Sequence, residues 1–209
     1  MQGTKQKILQ AALKLFNKEG MVNVRLQHIA DEAFVSVGNL AYHYANKEAI
    51  LLALYEALTK KQQELLAEYR IVPLFDNIDR LIHHSFQLQQ EYLFFFADTL
   101  EIVRANPVIA SAHQEHIQFK LAQLRQIIEF NVARGVFRSV ENKDAYPILA
   151  RQVWMTMDFW ISQELVSRDR LPKPTEYRHA IWNLFIPWFT PMGQLEYEQM
   201  LQMPYDFFY

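Results

Sequence analysis

The sequence predicts an all-α protein in two parts, a small three-helix domain over residues 1–48 and a larger helical body over 49–209. Three observations carry this prediction. Apolar residues recur at helical spacing through long runs. The 209 residues include only five glycines, too few for the many tight turns a β architecture requires. Residues 29–50, IADEAFVSVGNLAYHYANKEAI, read as two short helices, a tight turn and the start of a third, longer helix. With 51% hydrophobic and 14% aromatic residues, the chain can bury a sizeable core.

The first helix, within MQGTKQKILQAALKLF, has Thr4 in position to cap it and Ile8, Ala11, Ala12, Leu15 and Phe16 as its inner stripe. This segment lacks the separate apolar run of a signal peptide. No stretch of about eighteen uninterrupted apolar residues follows anywhere, so no membrane span and a cytoplasmic location are expected. Without cysteine there is neither a disulfide framework nor a thiolate metal site.

In the second helix Leu26, Ile29, Ala30 and Ala33 stack on one face and need a core to cover it. Ser36 caps a third helix in which Val35 and Leu40 point inward, leaving Val37, Gly38, Asn39, Tyr42 and His43 outside. That outward mixture of a methyl-bearing residue, an amide and two hydrogen-bonding rings suits a groove better than a core. Gly38 costs about 1 kcal/mol of helix propensity relative to alanine, and close approach to a phosphate backbone is one reason to tolerate it. Asn46 caps the next helix, whose N-terminus and Lys47 together can hold a phosphate. These are the features of a helix-turn-helix DNA reader.

Taken together, the first helix, Gly20, I-A-x-E-A, V-S-x-G-x-L, the following aromatics and N-K-E resemble the tetracycline-repressor (TetR) family of bacterial transcriptional regulators over about the first quarter of the chain. The resemblance implies that Ser36 to His43 form the recognition helix. Asn39 and Tyr42 would then face bases or phosphates, and His43 and Lys47 would grip the backbone. Gln27 would lie where some members reach a base, and Arg25 where the family often has Ser or Thr beside a phosphate. Tyr44 would be a buried aromatic. Val37 and Ala41 replace a frequent lysine and a frequent aromatic, so specificity would rest more on Asn39, Tyr42 and Gln27, with Val37 free to touch a thymine methyl. Phe34 stands where glycine is usual. Either it accepts the strain of a left-handed backbone, packing of its ring being one return for it, or the turn differs slightly from the family norm.

Charge is divided in the same sense. Residues 1–60 carry seven Lys or Arg against five Asp or Glu, whereas the remainder carries 14 against 18. The small basic excess lies with the reader and predicts a modest phosphate footprint.

Beyond residue 50, Pro73, Pro107, Gly135 and the Pro172–Pro174 pair punctuate a string of helices expected at 46–69, 75–90, 91–105, 107–133, 143–168 and 175–190. The last two are crowded with bulky residues. The resemblance implies that such a pair forms a four-helix interface in a homodimer, with Trp160, Ile181, Phe185 and Trp188 as contacts, although ordinary intrachain core fits the same residues. It also implies that the body binds a small effector, for which Phe86, Tyr92, Phe95, Phe119 and Trp154 are the lining proposed here, Tyr92 being the polar anchor. Plain core packing is the alternative for each of these residues.

His113 and His116 share a helical face, but no further metal ligand is visible by spacing, and a surface pair explains them better. No nucleophile elbow, phosphate-cradling glycine loop or paired-carboxylate motif is present, so neither an enzyme nor a cofactor is expected. The expected partners are a double-stranded palindromic operator, a second copy of the chain and a small, apolar or aromatic effector. The competing reading is a helical small-molecule-binding or interaction protein without specific DNA binding. The tail MPYDFFY is unassigned.

Overall fold

A computed structural model describes residues 3–69, 71–168 and 170–202; the aromatic tail from Met203 lies outside them. The described chain is helical throughout: α1 (Thr4–Glu19), a 3-10 turn (Met21–Asn23), α2 (Leu26–Glu32), α3 (Val37–His43), α4 (Lys47–Tyr69), α5 (Phe75–Glu91), α6 (Leu93–Ala97), α7 (Thr99–Ala105), α8 (Pro107–Ala133), α9 (Ala145–Arg168), α10 (Pro174–Phe185), a second 3-10 turn (Ile186–Trp188) and α11 (Pro191–Gln202). None of the described helices is long and apolar enough to cross a membrane.

Compactness divides the chain differently from the 1–48 and 49–209 expected from the motif. One unit comprises residues 1–61 with 89–113, the other 62–88 with 114–209. The N-terminal unit recruits the later segment through α1. The Asn17 side chain donates to the Glu91 carbonyl (2.7 Å) and accepts from the Phe94 amide (3.0 Å), and the rings of Phe16 and Phe94 meet edge to face at 5.4 Å. The predicted inner stripe of α1 is buried. Thr4 is not its cap, however, because Gly3 takes the N-cap position without a side-chain bond.

A single helix over 91–105 is also not what forms. Phe94, Phe95 and Phe96 are all buried, and three consecutive rings cannot occupy one face of a straight helix with 3.6 residues per turn. All three lie within α6, which they turn inward on more than one side, and the chain winds on as a separate α7 after a break at Asp98.

The second unit is organised around aromatic rings. Phe75 stacks on Phe189 at 5.0 Å and lies 5.3 Å from Trp182, while Phe137 stacks on Phe185 at 5.6 Å. Trp182 also packs on Tyr197 at 5.0 Å. Its indole N–H is not stranded by burial, because it donates to Asp79 Oδ1 at 2.8 Å, which also accepts from Arg178 at 2.6 Å. Pro187, which lacks an N–H, falls inside the expected 175–190 helix. The regular helix stops at Phe185 and a separate α11 begins at Pro191. Thr190 accepts from the Gly193 amide at 3.2 Å, an N-cap followed by proline that marks this start in the sequence itself. A Cβ at Gly193 would lie 2.1 Å from the Val136 carbonyl oxygen, so only glycine allows α11 to dock there.

Candidate nucleic-acid interface

The recognition segment is held from beneath and left open above. Ile29, Ala30, Ala33 and Leu40 are buried, so α2 and α3 pack their apolar faces into the N-terminal unit as the helical periodicity requires. Ser36 Oγ accepts from the Asn39 amide at 3.1 Å, and Asn46 Oδ1 accepts from Ala49 at 2.8 Å, which makes both predicted caps real. Tyr44 is buried, with the Lys5 ammonium 5.5 Å from its ring centre.

On the opposite side Ser36, Val37, Gly38, Asn39 and Tyr42 are exposed, Tyr42 at 85%. His43 is half-buried, its ring set edge-on to Tyr42 at 5.2 Å. A Cβ at Gly38 would meet only Ser36 Oγ, at 4.0 Å. The protein's own packing therefore does not demand glycine there, and the helix-propensity cost of about 1 kcal/mol has no internal compensation.

Two residues read as DNA contacts are engaged within the protein. Lys47 Nζ donates to the carbonyls of Met21 (2.9 Å) and Val24 (3.0 Å), with Val22 at 3.5 Å. The ammonium fastens the 3-10 turn to the start of α4 instead of projecting from the surface. Gln27 is exposed, but its amide donates to Asp31 Oδ1 at 2.7 Å. Arg25 is exposed at the N-cap of α2.

The turn itself takes the left-handed form. Phe34 has φ 56°, the one positive-φ residue other than glycine among the described residues. The amides of Phe34 and Val35 donate to the carbonyls of Asp31 (3.1 Å) and Ala30 (3.0 Å), which locks the geometry. Such a backbone costs an L-residue roughly 1–2 kcal/mol. Of the two alternatives open for this turn, Phe34 accepts the strain, and it does so without packing its ring, which is 95% exposed.

Comparison with known proteins decides the family. The profile described as bacterial regulatory proteins, tetR family, matches residues 8–54, and one described as bacterial transcriptional repressor matches 50–197. The chain belongs to the TetR family of bacterial regulators. The profiles are those of regulatory proteins, not of an enzyme. The transcriptional regulator UidR of Escherichia coli K12 is 22% identical over 132 residues, which span 59% of this chain and 66% of UidR. Among solved structures, a TetR-family regulator from Marinobacter aquaeolei VT8 superposes with a TM-score of 0.82 at 22% identity, covering 96% of this chain and 98% of that one. SmeT, the repressor of the Stenotrophomonas maltophilia multidrug efflux pump SmeDEF, superposes at 0.68 with 18% identity, covering 91% and 92%.

Within this TetR-family chain the residues read as an effector lining fall in both compact units. Phe86 is buried in the C-terminal unit with its ring 5.0 Å from Tyr177. Tyr92 and Phe95 are buried in the other unit, Phe95 against Tyr55 at 5.3 Å and His113 at 5.4 Å. These are core rings. The Tyr92 hydroxyl is pushed above its ordinary pKa by burial. Phe119 is exposed and stacks on His116 at 6.1 Å. Trp154 donates to Asp158 at 2.9 Å, and Asp158 pairs with Lys120, both side chains being only 10% exposed. No periodicity argument exposed this buried ion pair between α8 and α9. Lys120 lies four residues from His116, and with His113 and Gln123 they interrupt the apolar side of α8 with buried polar groups, a spacing present in the sequence.

His113 and His116 are buried, not the surface pair expected. Tyr55 Oη lies 3.4 Å from His113 Nδ1, and Gln62 Oε1 lies 2.8 Å from His116 Nε2. The dimer contacts also need correction. Ile181 and Phe185 are buried in the core of their own chain and leave no surface for a partner, while Trp160 and Trp188 pack partly against the same core. The exposed apolar residues of α9 are Ile148, Met155, Phe159 and Val166. Their spacings of seven, four and seven form one stripe along the helix.

Proposed function

We propose that this TetR-family chain is a homodimeric transcriptional repressor that binds a palindromic operator through α3 and is released by a small effector. The observation that carries the reading is the one-sided order of α3. Leu40 is buried and Ser36 caps the helix, while Val37, Gly38, Asn39 and Tyr42 present an exposed face. Asn39 is suited to bidentate pairing with adenine, and Val37 to a thymine methyl. Arg25 and His43 supply polar contact to the phosphates, and Gln27 reaches a base after exchanging its bond to Asp31. Lys47 enters this reading as a structural fastener.

Dimerisation is assigned to the α9 stripe of Ile148, Met155, Phe159 and Val166. Two recognition helices then address half-sites about 34–36 Å apart, one turn of DNA. The effector is assigned to the body. SmeT has been described in complex with triclosan, which supports an apolar or aromatic ligand. Phe119 on α8 and Trp154 on α9 are the lining residues kept from the sequence reading. Effector binding would favour a tilt of α4, and a coupling of about 1–3 kcal/mol would weaken operator binding several-fold to about a hundredfold.

Selection of duplexes from a random pool at near-physiological salt, with nonspecific competitor, tests the reading. An enriched inverted repeat is expected. Folded protein that enriches nothing would make the chain a helical binding module without specific DNA recognition.

A further inference from the structure

We infer that Phe34 is a DNA-contacting residue, an apolar anchor that packs on deoxyribose carbons or a thymine methyl beside α3. This rests on the operator-binding reading above.

The turn sets two unfavourable conditions on one side chain. The backbone at Phe34 is left-handed, a conformation that glycine or asparagine adopts far more readily. Its ring is 95% exposed and so earns nothing from the core. Glycine would satisfy the same two backbone hydrogen bonds without strain. An aromatic ring presented to solvent from a hydrogen-bonded turn is available for an external contact, and its position indicates what it touches. Phe34 precedes Ser36, the cap of the recognition helix, by two residues, a chain span of at most about 7 Å.

The charge of the segment favours an apolar contact with DNA. From residue 26 to 46 the chain has no Lys or Arg and carries Asp31 and Glu32. The flanking Lys47 is bonded to main-chain carbonyls, and Lys14 pairs with Glu32 at 2.5 Å. Arg25, exposed just before this stretch, is left as the nearby cation for phosphate, so apolar contacts have room to add affinity, and Phe34, Val37 and Tyr42 are the exposed large apolar residues from 26 to 46. Apolar contact with the thymine methyl is an established mode of groove recognition.

The test uses full-length protein and the duplex selected by the wild type. Phe34→Gly and Phe34→Asn each remove the ring and suit the left-handed turn, and Phe34→Tyr keeps the ring. Both ring-less variants are expected to melt at or above the wild-type temperature, yet to bind the duplex about tenfold more weakly. The slope of log Kd against log salt should stay unchanged, because no phosphate contact is lost. Phe34→Tyr should bind within about twofold of wild type. Unchanged affinity in Phe34→Gly would overturn the inference while leaving the operator reading intact, and a simultaneous change in sedimentation would assign the ring to a protein contact instead. A lower melting temperature in both ring-less variants would also overturn it, by showing that the ring supports the fold. Wild-type protein that selects no duplex would remove the operator reading and this inference together.

Discussion

Phe34 and Phe75 are the same side chain in opposite circumstances. Phe75 is fully buried and touches Phe137, Trp182 and Phe189, whereas Phe34 stands 95% exposed on a left-handed turn. In the C-terminal core large rings leave water, and the buried Trp182 N–H finds a partner in Asp79. The reading face departs from it at Phe34, and Gly38 adds a helix residue of low propensity that no neighbour requires. Local departures from the most stable choice gather where a protein meets something else. The contrast is thus one between a packed aromatic core and an exposed face whose residues the fold does not require.

Substitutions can break that contrast, and the largest effect belongs to the core. Trp182→Ala should cost about 3–5 kcal/mol in urea denaturation followed by circular dichroism, since the indole is fully buried at the meeting point of Phe75, Phe185 and Tyr197. A loss under 1 kcal/mol would show that the aromatic cluster is loosely packed.

Asp158→Ala should be comparable or slightly smaller, because it strands the buried Lys120 ammonium, a change worth about 3–5 kcal/mol. Replacing both partners, as Lys120→Met with Asp158→Leu, should recover most of that loss, since an apolar pair of similar volume needs no desolvation. The double variant also sharpens the comparison. If it matches wild type in stability but fails to respond to an effector, the ion pair belongs with the functional surfaces and not with the packing core.

Lys47→Met addresses a residue on the border between the two behaviours. Loss of the ammonium's bonds to the Met21 and Val24 carbonyls should lower stability by about 1.5–3 kcal/mol, the range for a hydrogen bond to a charged group. The salt dependence of operator binding should not change. A salt slope reduced by about one would restore Lys47 as a phosphate contact.

The smallest expected change is in Gly38→Ala, and its sign is the point. With open space above the Cα, the variant should gain about 0.5–1 kcal/mol in thermal stability and bind the operator more weakly. Unchanged DNA affinity would place Gly38 outside the contact surface.

How much of this molecule was legible in its sequence depends on the range of the interaction. Local features were read directly. The bounds of α8 at 107 and 133, the caps Ser36 and Asn46, the inner stripe of α1 and the inward Leu40 all follow from periodicity and capping over a few residues. The start of α11 was equally local, since Thr190 and Pro191 announce it, yet the bulk of the surrounding aromatics obscured that signal. The outward set of α3 and the family motif were legible for the same reason, because a recognition helix is a short, continuous stretch.

Tertiary structure decided what covers each apolar surface. Periodicity distinguishes one face of a helix from another, but a buried ring looks the same in sequence whether it meets a ligand, a second subunit or its own core. Phe86, Tyr92, Phe95, Ile181 and Phe185 therefore required the packed structure to be recognised as core, and the stripe from Ile148 to Val166 to be recognised as exposed. Lys47 is the clearest case, because its direction depends on carbonyls more than twenty residues earlier, and Lys120 finds Asp158 thirty-eight residues later. The sequence by itself determined most of the helices, the caps at Ser36 and Asn46 and the outward set of α3. The fold alone determined which charges are spent inside the protein and which rings, Phe34 above all, remain outside, because those outcomes are set by contacts between segments that no local pattern encodes.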